Sequence, residues 1–406
     1  MIGAAALGVT LIGGVAAMIG SDRRAPLTAI PAPVALPSPN GFDVYVAAGR
    51  AVVRGSPPVD KSYDTRVLTP QQAAKDYAPA RQSAWVARNA PAWALFARAK
   101  TLPCRHPNAR GVATPITTYN SLRNIARAQS VRVKTWKSAG RWNEALHGGL
   151  DTMQMGRDVE RGAPLIGSLM AIAIEHIGAH SIEDVPPHLS ADEARAGAQR
   201  LEAMMANAQP FSQVLVEEKW SILTQIEAQG KAGNPGAQGL LGTLLMPRQK
   251  TLDVAATMMD GFIAQADKPV GAQQKVPAPS VGLLPSSNTL VAILHGPIER
   301  APFNDTRRKV LERLLLLRLA LRAYRAERGS YPAKLSDSTP AVLKQVPIDP
   351  FGKGEALRYR KTGDSYVVWS VGPDEVDNGG TSIPIKKGKS RVIVDPDSRG
   401  DIVARP

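Results

Sequence analysis

The C-terminal quarter of the chain constrains its fold most strongly. Between residues 305 and 327, apolar residues recur every three or four positions among many arginines. This spacing predicts an amphipathic helix, with Asp305 as its N-cap and Gly329 as its left-handed terminator. The whole stretch from 324 to 380 then combines the end of this helix with a series of turns and short alternating segments.

A β-hairpin is predicted directly after this helix. The pair Tyr331-Pro332 redirects the chain, and residues 347–352, which read Pro-Ile-Asp-Pro-Phe-Gly, predict consecutive turns. Residues 357–360 and 366–370 alternate between apolar and polar side chains around a Thr-Gly-Asp turn. The C-terminal region is therefore predicted to be a small α+β domain with one long helix and an antiparallel sheet.

This order of parts resembles the C-terminal globular domain of the type II secretion major pseudopilins. The similarity covers about residues 304–402 and is strongest at Tyr331-Pro332, at Asp349-Pro350-Phe351-Gly352, at Tyr359 and at Ser370-Val371-Gly372-Pro373-Asp374. The resemblance implies a small α+β domain and an exported body.

The resemblance also implies a calcium ion in the loop after the hairpin. Asp374 and Asp377 would be its first ligands, and three more acidic residues follow at Asp395, Asp397 and Asp401. Closely spaced carboxylates and carbonyls suit the oxygen coordination of Ca²⁺. The alternative is that residues 372–374 and 378–380 are simple turns. No other cofactor is expected.

Two features depart from the pseudopilin pattern. Pseudopilins carry a prepilin-peptidase site with a glutamate five residues into their hydrophobic stalk, whereas residues 2–20 contain no glutamate. The pilin-like helix begins only after about 300 residues. These departures argue against assembly of the chain into a pseudopilus by the usual stalk packing. They indicate that the pseudopilin-like module has been reused in a different protein.

The N-terminal segment predicts a membrane anchor. Residues 2–20 contain no charge, and as a helix they would be about 28 Å long, close to the thickness of a bilayer's hydrocarbon core. A cleaved signal peptide is the alternative, but no basic residue precedes the apolar run. Arg23 and Arg24 favour a cytoplasmic body, while the pseudopilin resemblance implies an extracytoplasmic one. We expect a single-pass protein of the cell membrane whose body lies outside the cytoplasm.

The rest of the chain is predicted to be mainly α-helical. We assign residues 1–24 to the transmembrane anchor, 25–68 to a Pro-rich spacer and lead-in, 69–267 to an α-helical domain, 268–302 to a linker and 303–406 to the pseudopilin-like domain. A capping box at Ser190 and Glu193 and a helix start at Thr69-Pro70 support the helical domain.

The strongest helical pattern is a pair of segments within residues 121–161. Their apolar positions follow a 3.6-residue period and Gly140 separates them. The string from Gly140 to Leu146 is similar to the middle of a tetratricopeptide repeat, but a single copy cannot build a solenoid. Residues 165–177 are apolar on nearly every face and too short to cross a membrane, which predicts a buried central helix.

Candidate catalytic residues are few. His176 and His180 lie four apart on a predicted helix beside Glu175 and could share a metal, although the order of the three differs from HExxH. Cys104 is the only cysteine, and His106 is its neighbour without a supporting third group. The sequence contains no GxSxG, no P-loop and no GxGxxG after a strand.

The formal net charge is +15, but no basic run is interleaved with stacking aromatic residues, so nucleic acid is not an expected partner. We expect a membrane-anchored envelope scaffold or interaction protein without a catalytic site, linked to secretion or surface assembly. Its partners would be the bilayer, through residues 2–20, and a protein bound by the helical domain. The alternatives are a pseudopilin-like subunit and a metal-dependent hydrolase that uses His176 and His180.

Overall fold

The computed structural model describes residues 29–53, 78–231, 248–277, 285–386 and 392–406. The predicted anchor at residues 1–24 and the predicted helix start at Thr69 lie outside this part of the chain. Within it the protein is mainly helical and carries one small antiparallel sheet. The mainly α-helical character and the small antiparallel sheet agree with the predicted fold class.

The described residues form ten α-helices and three strands. The helices are α1 Gly41–Ala51, α2 Pro79–Arg88, α3 Ala90–Ala99, α4 Ile116–Ser138, α5 Trp142–Glu160, α6 Leu165–Ser181, α7 Ala191–Ala206, α8 Phe211–Lys231, α9 Arg248–Gln265 and α10 Pro285–Arg328. The strands are β1 Arg358–Thr362, β2 Ser365–Ser370 and β3 Ile402–Ala404, and short 3₁₀ turns lie at Pro186–His188, Val270–Ala272 and Leu335–Ser338.

The predicted helical pair is the hairpin of α4 and α5. Gly140 adopts a φ of +70° between the two helices, where a residue with a Cβ would be strained. The predicted inward face of α4 is fully buried at Leu122, Ile125 and Ala126. The capping box is also present at the start of α7, where Ser190 and Glu193 bond each other's backbone N–H groups.

Helices α5 and α6 approach each other closely because two glycines lie at their crossing. A Cβ added at Gly149 would come within 2.3 Å of Ile182 Cγ2, and one at Gly156 within 2.4 Å of Glu175 Cγ. The space that Gly156 leaves is therefore filled by the side chain of Glu175. This contact brings a carboxyl group from α6 into the interior between the helices.

Helix α10 is longer than the sequence predicted. It has 44 residues and begins at Pro285, so residues 285–302 of the predicted linker are helical. Asp305 lies inside the helix, and its prediction as N-cap is wrong. Its carboxylate contacts Arg308 and Lys309, three and four residues onward, and these contacts replace the capping role. The helix ends as predicted, at a Gly329 with a φ of +75°.

A continuous apolar core joins the helices to the sheet. It runs from Leu146 on α5 and Leu201 on α7, through Leu317 on α10, to Val368 on β2. Helix α6 is less enclosed than predicted, since Ile166 is 56% exposed. One face of this helix is therefore open to solvent.

The sheet confirms the predicted hairpin. Strand β1 pairs antiparallel with β2, with Arg358 opposite Trp369, and β3 pairs antiparallel with the other edge of β2. Asp349 in the preceding turn is fully buried and accepts hydrogen bonds from Ser370 Oγ and Val371 N at 2.6 and 2.9 Å. The Asp-Pro-Phe-Gly segment therefore fixes the turn to the end of β2.

Among the described residues, no helix combines the length and the apolar character that a bilayer crossing requires.

Candidate functional site

Six charged side chains from three helices meet in the interior and form what we call the ionic cluster. Each of these residues is at most 8% exposed. The members are Arg157 and Glu160 from α5, Glu175 from α6, and Asp305, Arg308 and Glu312 from α10. Buried charges need close partners because they have lost their hydration. The contacts in this cluster therefore decide which charge states the interior can hold.

Arg308 is the centre of the cluster. Its Nη1 donates to Glu160 Oε2 and to Glu175 Oε1, each at 2.8 Å, and its Nη2 donates to Asp305. Asp305 Oδ2 also lies 2.7 Å from the Lys309 ammonium. One guanidinium group thus holds carboxylates from all three helices together.

Arg157 supplies the second buried positive charge. It donates to Glu312 Oε1 at 2.5 Å and to the carbonyl of Met204 at 2.6 Å. Its Nε lies 3.5 Å from Glu175 Oε2, without the geometry of a hydrogen bond. Glu175 Oε2 therefore accepts no hydrogen bond, although its residue is only 2% exposed.

The protonation of Glu175 and Glu312 is linked. Burial raises the pKa of Glu175 well above its ordinary value, and the nearby Glu312 carboxylate adds to this effect. Burial also opposes ionisation of Glu312, but Arg157, a hydrogen bond with Glu175 and Arg308 outweigh it and lower the pKa of Glu312. A hydrogen bond between two carboxyl groups requires a proton on one of them, and we place that proton on Glu175.

The ion pairs of the cluster explain why Glu175 retains a proton. Four carboxylates of the cluster contact two guanidinium groups and one ammonium group, that of Lys309. If all four are ionised, these contacts therefore hold one more negative charge than positive charges. A proton on Glu175 removes that charge at a lower free-energy cost than a buried unpaired carboxylate.

The cluster borders a cleft between α6 and α10. One cavity of about 310 Å³ lies beside the cluster, and a second of about 290 Å³ continues toward strand β3. Both cavities are lined by His176, Ala179, Arg307 and Leu311, so they adjoin. We call the two together the α6–α10 cleft.

Both predicted histidines line this cleft, but the structure gives them separate contacts. Their rings are parallel with centroids 6.2 Å apart, and His180 Nδ1 lies 3.1 Å from Glu183 Oε2. Glu175, their sequence neighbour, belongs to the ionic cluster instead. In the described part of the chain, no three His, Cys, Asp or Glu side chains gather as metal ligands. We assign no metal to His176 and His180.

The predicted calcium ligands are held by N–H donors. Asp377 Oδ1 accepts from Trp369 Nε1 and Gly379 N, each at 2.9 Å, and Asp374 Oδ2 accepts from Gly400 N at 2.9 Å. Calcium needs six to eight oxygen ligands, whereas N–H groups bind the oxygens of these two carboxylates. The donor set fits a hydrogen-bonded turn better than calcium, and calcium binding stays a prediction.

Asp401 has a structural role in this loop that was not predicted from the sequence. Its two oxygens accept from Asn378 N at 3.2 Å and from Gly380 N at 2.7 Å. It thereby ties the loop to the start of β3. From the sequence, Asp401 was identified only as a further acidic residue after the predicted calcium ligands.

Cys104 and His106 do not form a nucleophilic pair. His106 Nε2 lies 3.2 Å from Tyr119 Oη, and burial lowers the pKa of His106 to about 4. Burial also raises the pKa of the Cys104 thiol, which opposes formation of a thiolate. Both residues therefore fill structural positions.

Few features of the sequence indicated the ionic cluster. Asp305, Arg308 and Glu312 follow one another at helical spacing, a pattern that solvated helix faces also show. Arg157 is separated from Glu312 by 155 positions, and Glu160 from Arg308 by 148. Only the apolar residues that flank these charges on α10 could have indicated that this helix is buried.

Comparison of the chain with protein-family models, with curated proteins and with solved structures finds no match in any of the three.

Proposed function

We propose that this protein is a non-catalytic interaction protein of the cell envelope that binds a partner in the α6–α10 cleft. The observation that carries the proposal is the open apolar face of α6 beside this cleft. Ile166 is 56% exposed, and Leu169 and Ile172 are partly exposed along the cleft wall. Apolar residues grouped at a concave site are typical of surfaces that bind a partner.

The shape of the cleft suits a helical or extended partner segment. Its walls are two helices, and its length runs from Met153 and Asn304 at one end to β3 at the other. Apolar side chains of a partner helix commonly enter grooves of this kind at a spacing of three or four residues. Charged residues of both signs, among them Arg318 and Glu183, line the end near the sheet and would orient the partner.

Photo-crosslinking tests the cleft directly. A photoreactive amino acid placed at Ala173, an exposed residue that lines the cleft, is expected to give a discrete adduct in cells that make the protein. The same amino acid at Ala84, an exposed alanine of α2, is the matched control. The substitution Ile172→Asp should abolish the adduct at Ala173. Equal adducts at both positions, or none at Ala173, would contradict the proposal.

The location in the envelope is supported by the sequence alone. Residues 2–20 are uncharged, and the resemblance of residues 304–402 implies an exported body. The full chain should therefore fractionate with membranes, and a variant without residues 1–24 should not. Recovery of the full chain in the soluble fraction would contradict the anchor.

A pseudopilin-like subunit is the second candidate function. It is favoured by the order of α10, Gly329 and the β1–β2 hairpin, which is the order that suggested the resemblance. However, α10 buries Val310, Leu317 and Leu321 within the core of its own chain, which opposes stalk packing against other copies. Mass spectrometry of the N-terminus separates the two functions, because a pseudopilin-like subunit would be cleaved by a prepilin peptidase.

A further inference from the structure

The cavity beside the ionic cluster has the chemistry of a cation site. We propose that it binds an alkylammonium group, with the charged end beside Glu175 and Glu312 and the carbon chain along the apolar wall. The inference rests on the proposed function because it takes the α6–α10 cleft as the binding site, and it adds the chemical class of what enters it.

The acceptor is a buried oxygen at the cavity wall. Glu175 and Glu312 both line the cavity of about 310 Å³. Glu175 Oε2 accepts no hydrogen bond, and Arg157 Nε lies 3.5 Å from it. An ammonium ion has three N–H donors and no acceptor, so it can donate to both carboxylates in place of the proton that joins them.

An ammonium ion in this position would take the place of the proton on Glu175. The groups that face Glu175 are Arg157 and Glu160 from α5, His176 on α6 itself, and Asp305, Arg307, Arg308, Lys309 and Glu312 from α10. Arg308 already serves three carboxylates and has little capacity for an anionic ligand. Counted with an ionised Glu175, this set holds four carboxylates and four arginine or lysine cations, so exchange of the Glu175 proton for an ammonium ion leaves its net charge unchanged.

The remaining wall suits a short carbon chain. Its apolar members are Met153, Leu169, Ile172, Ala173, Ala179 and Leu311. A cavity of about 150 Å³ with such a lining admits benzene, so this larger one has room for a chain of about six carbons. A lysine side chain from a partner and a free alkylamine share this chemistry, since each carries an ammonium group on an apolar stem.

Calorimetric titration of the purified full chain tests the inference. We expect n-hexylammonium to bind at least tenfold more tightly than n-hexanol, because only the former has a charged donor. It should also bind more tightly than n-butylammonium, by about fourfold per methylene group. Hexanoate is the anionic counterpart. Tighter binding of hexanoate than of hexylammonium, or no binding of either alkylammonium ion, would overturn the inference.

Two variants locate the site. Glu175→Gln keeps the shape of the protonated carboxyl group, so it should fold, and it should weaken hexylammonium binding at least tenfold. Glu218→Gln is the matched control, because Glu218 is a partly buried carboxyl group that accepts a hydrogen bond from Leu165 N and does not line the cavity. Ala173→Phe fills the cavity from its exposed edge without touching the cluster and should also prevent binding. Unchanged affinity in both Glu175→Gln and Ala173→Phe would refute the assignment.

The two sources of the ammonium group can be distinguished, as can the two proposals. Competition by hexylammonium with the adduct at Ala173 would identify the occupant as a lysine of a protein partner. Binding without competition would identify it as a free amine. If the adduct forms but no alkylammonium ion binds, this inference is wrong and the proposed function stands. If the alkylammonium ion binds but no adduct forms, the proposed function is wrong and the alkylammonium site stands.

Discussion

Replacing Arg308 by methionine would test the energetic role of the ionic cluster. The substitution keeps a long side chain but removes the guanidinium group that contacts Glu160, Glu175 and Asp305. Removing one partner of a buried ion pair leaves an uncompensated charge, which costs about 3–5 kcal/mol of folding stability. Because Arg308 serves three carboxylates, we expect a loss in this range for Arg308→Met at pH 7.

The loss should depend on pH. Burial alone would raise the pKa of Asp305, but Arg308 and Lys309 outweigh it and hold that pKa below its ordinary value. A depressed pKa contributes stability above the pKa of the unfolded chain and loses it as pH falls through the folded pKa. In Arg308→Met this contribution is largely absent, and the unpartnered carboxylates can be protonated in acid. The difference between wild type and variant should therefore be smaller at pH 4 than at pH 7.

Urea unfolding followed by circular dichroism at both pH values measures the effect. Arg322→Met is the control on the same helix, because Arg322 Nε donates to the backbone carbonyl of Leu189 at 2.6 Å. We expect it to cost about 1 kcal/mol at both pH values. A loss below about 1 kcal/mol for Arg308→Met at pH 7, or an equal loss at both pH values, would refute the reasoning.

Three further substitutions have defined expectations. Burial raises the pKa of Glu175, so its contribution to stability is present below the unfolded pKa and is lost as pH rises through the folded pKa. In urea titrations from pH 5 to 8, Glu175→Gln should therefore remove a decrease in unfolding free energy of up to about 1.4 kcal/mol per pH unit. An unchanged pH dependence of the unfolding free energy would contradict this. Gly49→Ala should lower thermal stability by about 3 kcal/mol or more, since its Cβ would lie 1.9 Å from a backbone oxygen of α4, whereas Gly140→Ala has open space and should cost about 1 kcal/mol through its φ of +70°. Equal melting temperatures for the two glycine variants would refute the close crossing. Asp349→Ala leaves three donors without an acceptor, one in the turn before β1 and two at the end of β2. A loss of about 3 kcal/mol is expected in urea unfolding, compared with little change for Asp364→Ala, which replaces an exposed residue.

Metal analysis of the purified chain separates the proposed function from the hydrolase alternative. The rings of His176 and His180 lie 6.2 Å apart, and His180 contacts Glu183. We therefore expect no zinc at one equivalent per chain. Stoichiometric zinc that is lost in His176→Ala would support the hydrolase and contradict the non-catalytic function.

The candidate site illustrates why side-chain chemistry was harder to predict than helices. His176 and His180 were identified from their spacing, and both do line the cleft. Glu175 was noted only as their neighbour, although it occupies the interior of the ionic cluster. Spacing along one helix defines a shared face, but it does not show which face meets a guanidinium group from another helix.

Local signals in the sequence determined where several elements begin and end. Ser190 caps α7, while Gly140 and Gly329 end α4 and α10, because each feature depends on residues within one or two turns. Only the tertiary structure decided that Asp305 lies inside α10 rather than at its start. Its buried contacts with Arg308 and Lys309, and the apolar core around α10, outweigh the local preference for a cap. The cleft likewise exists only because α6 and α10, more than a hundred residues apart, pack side by side.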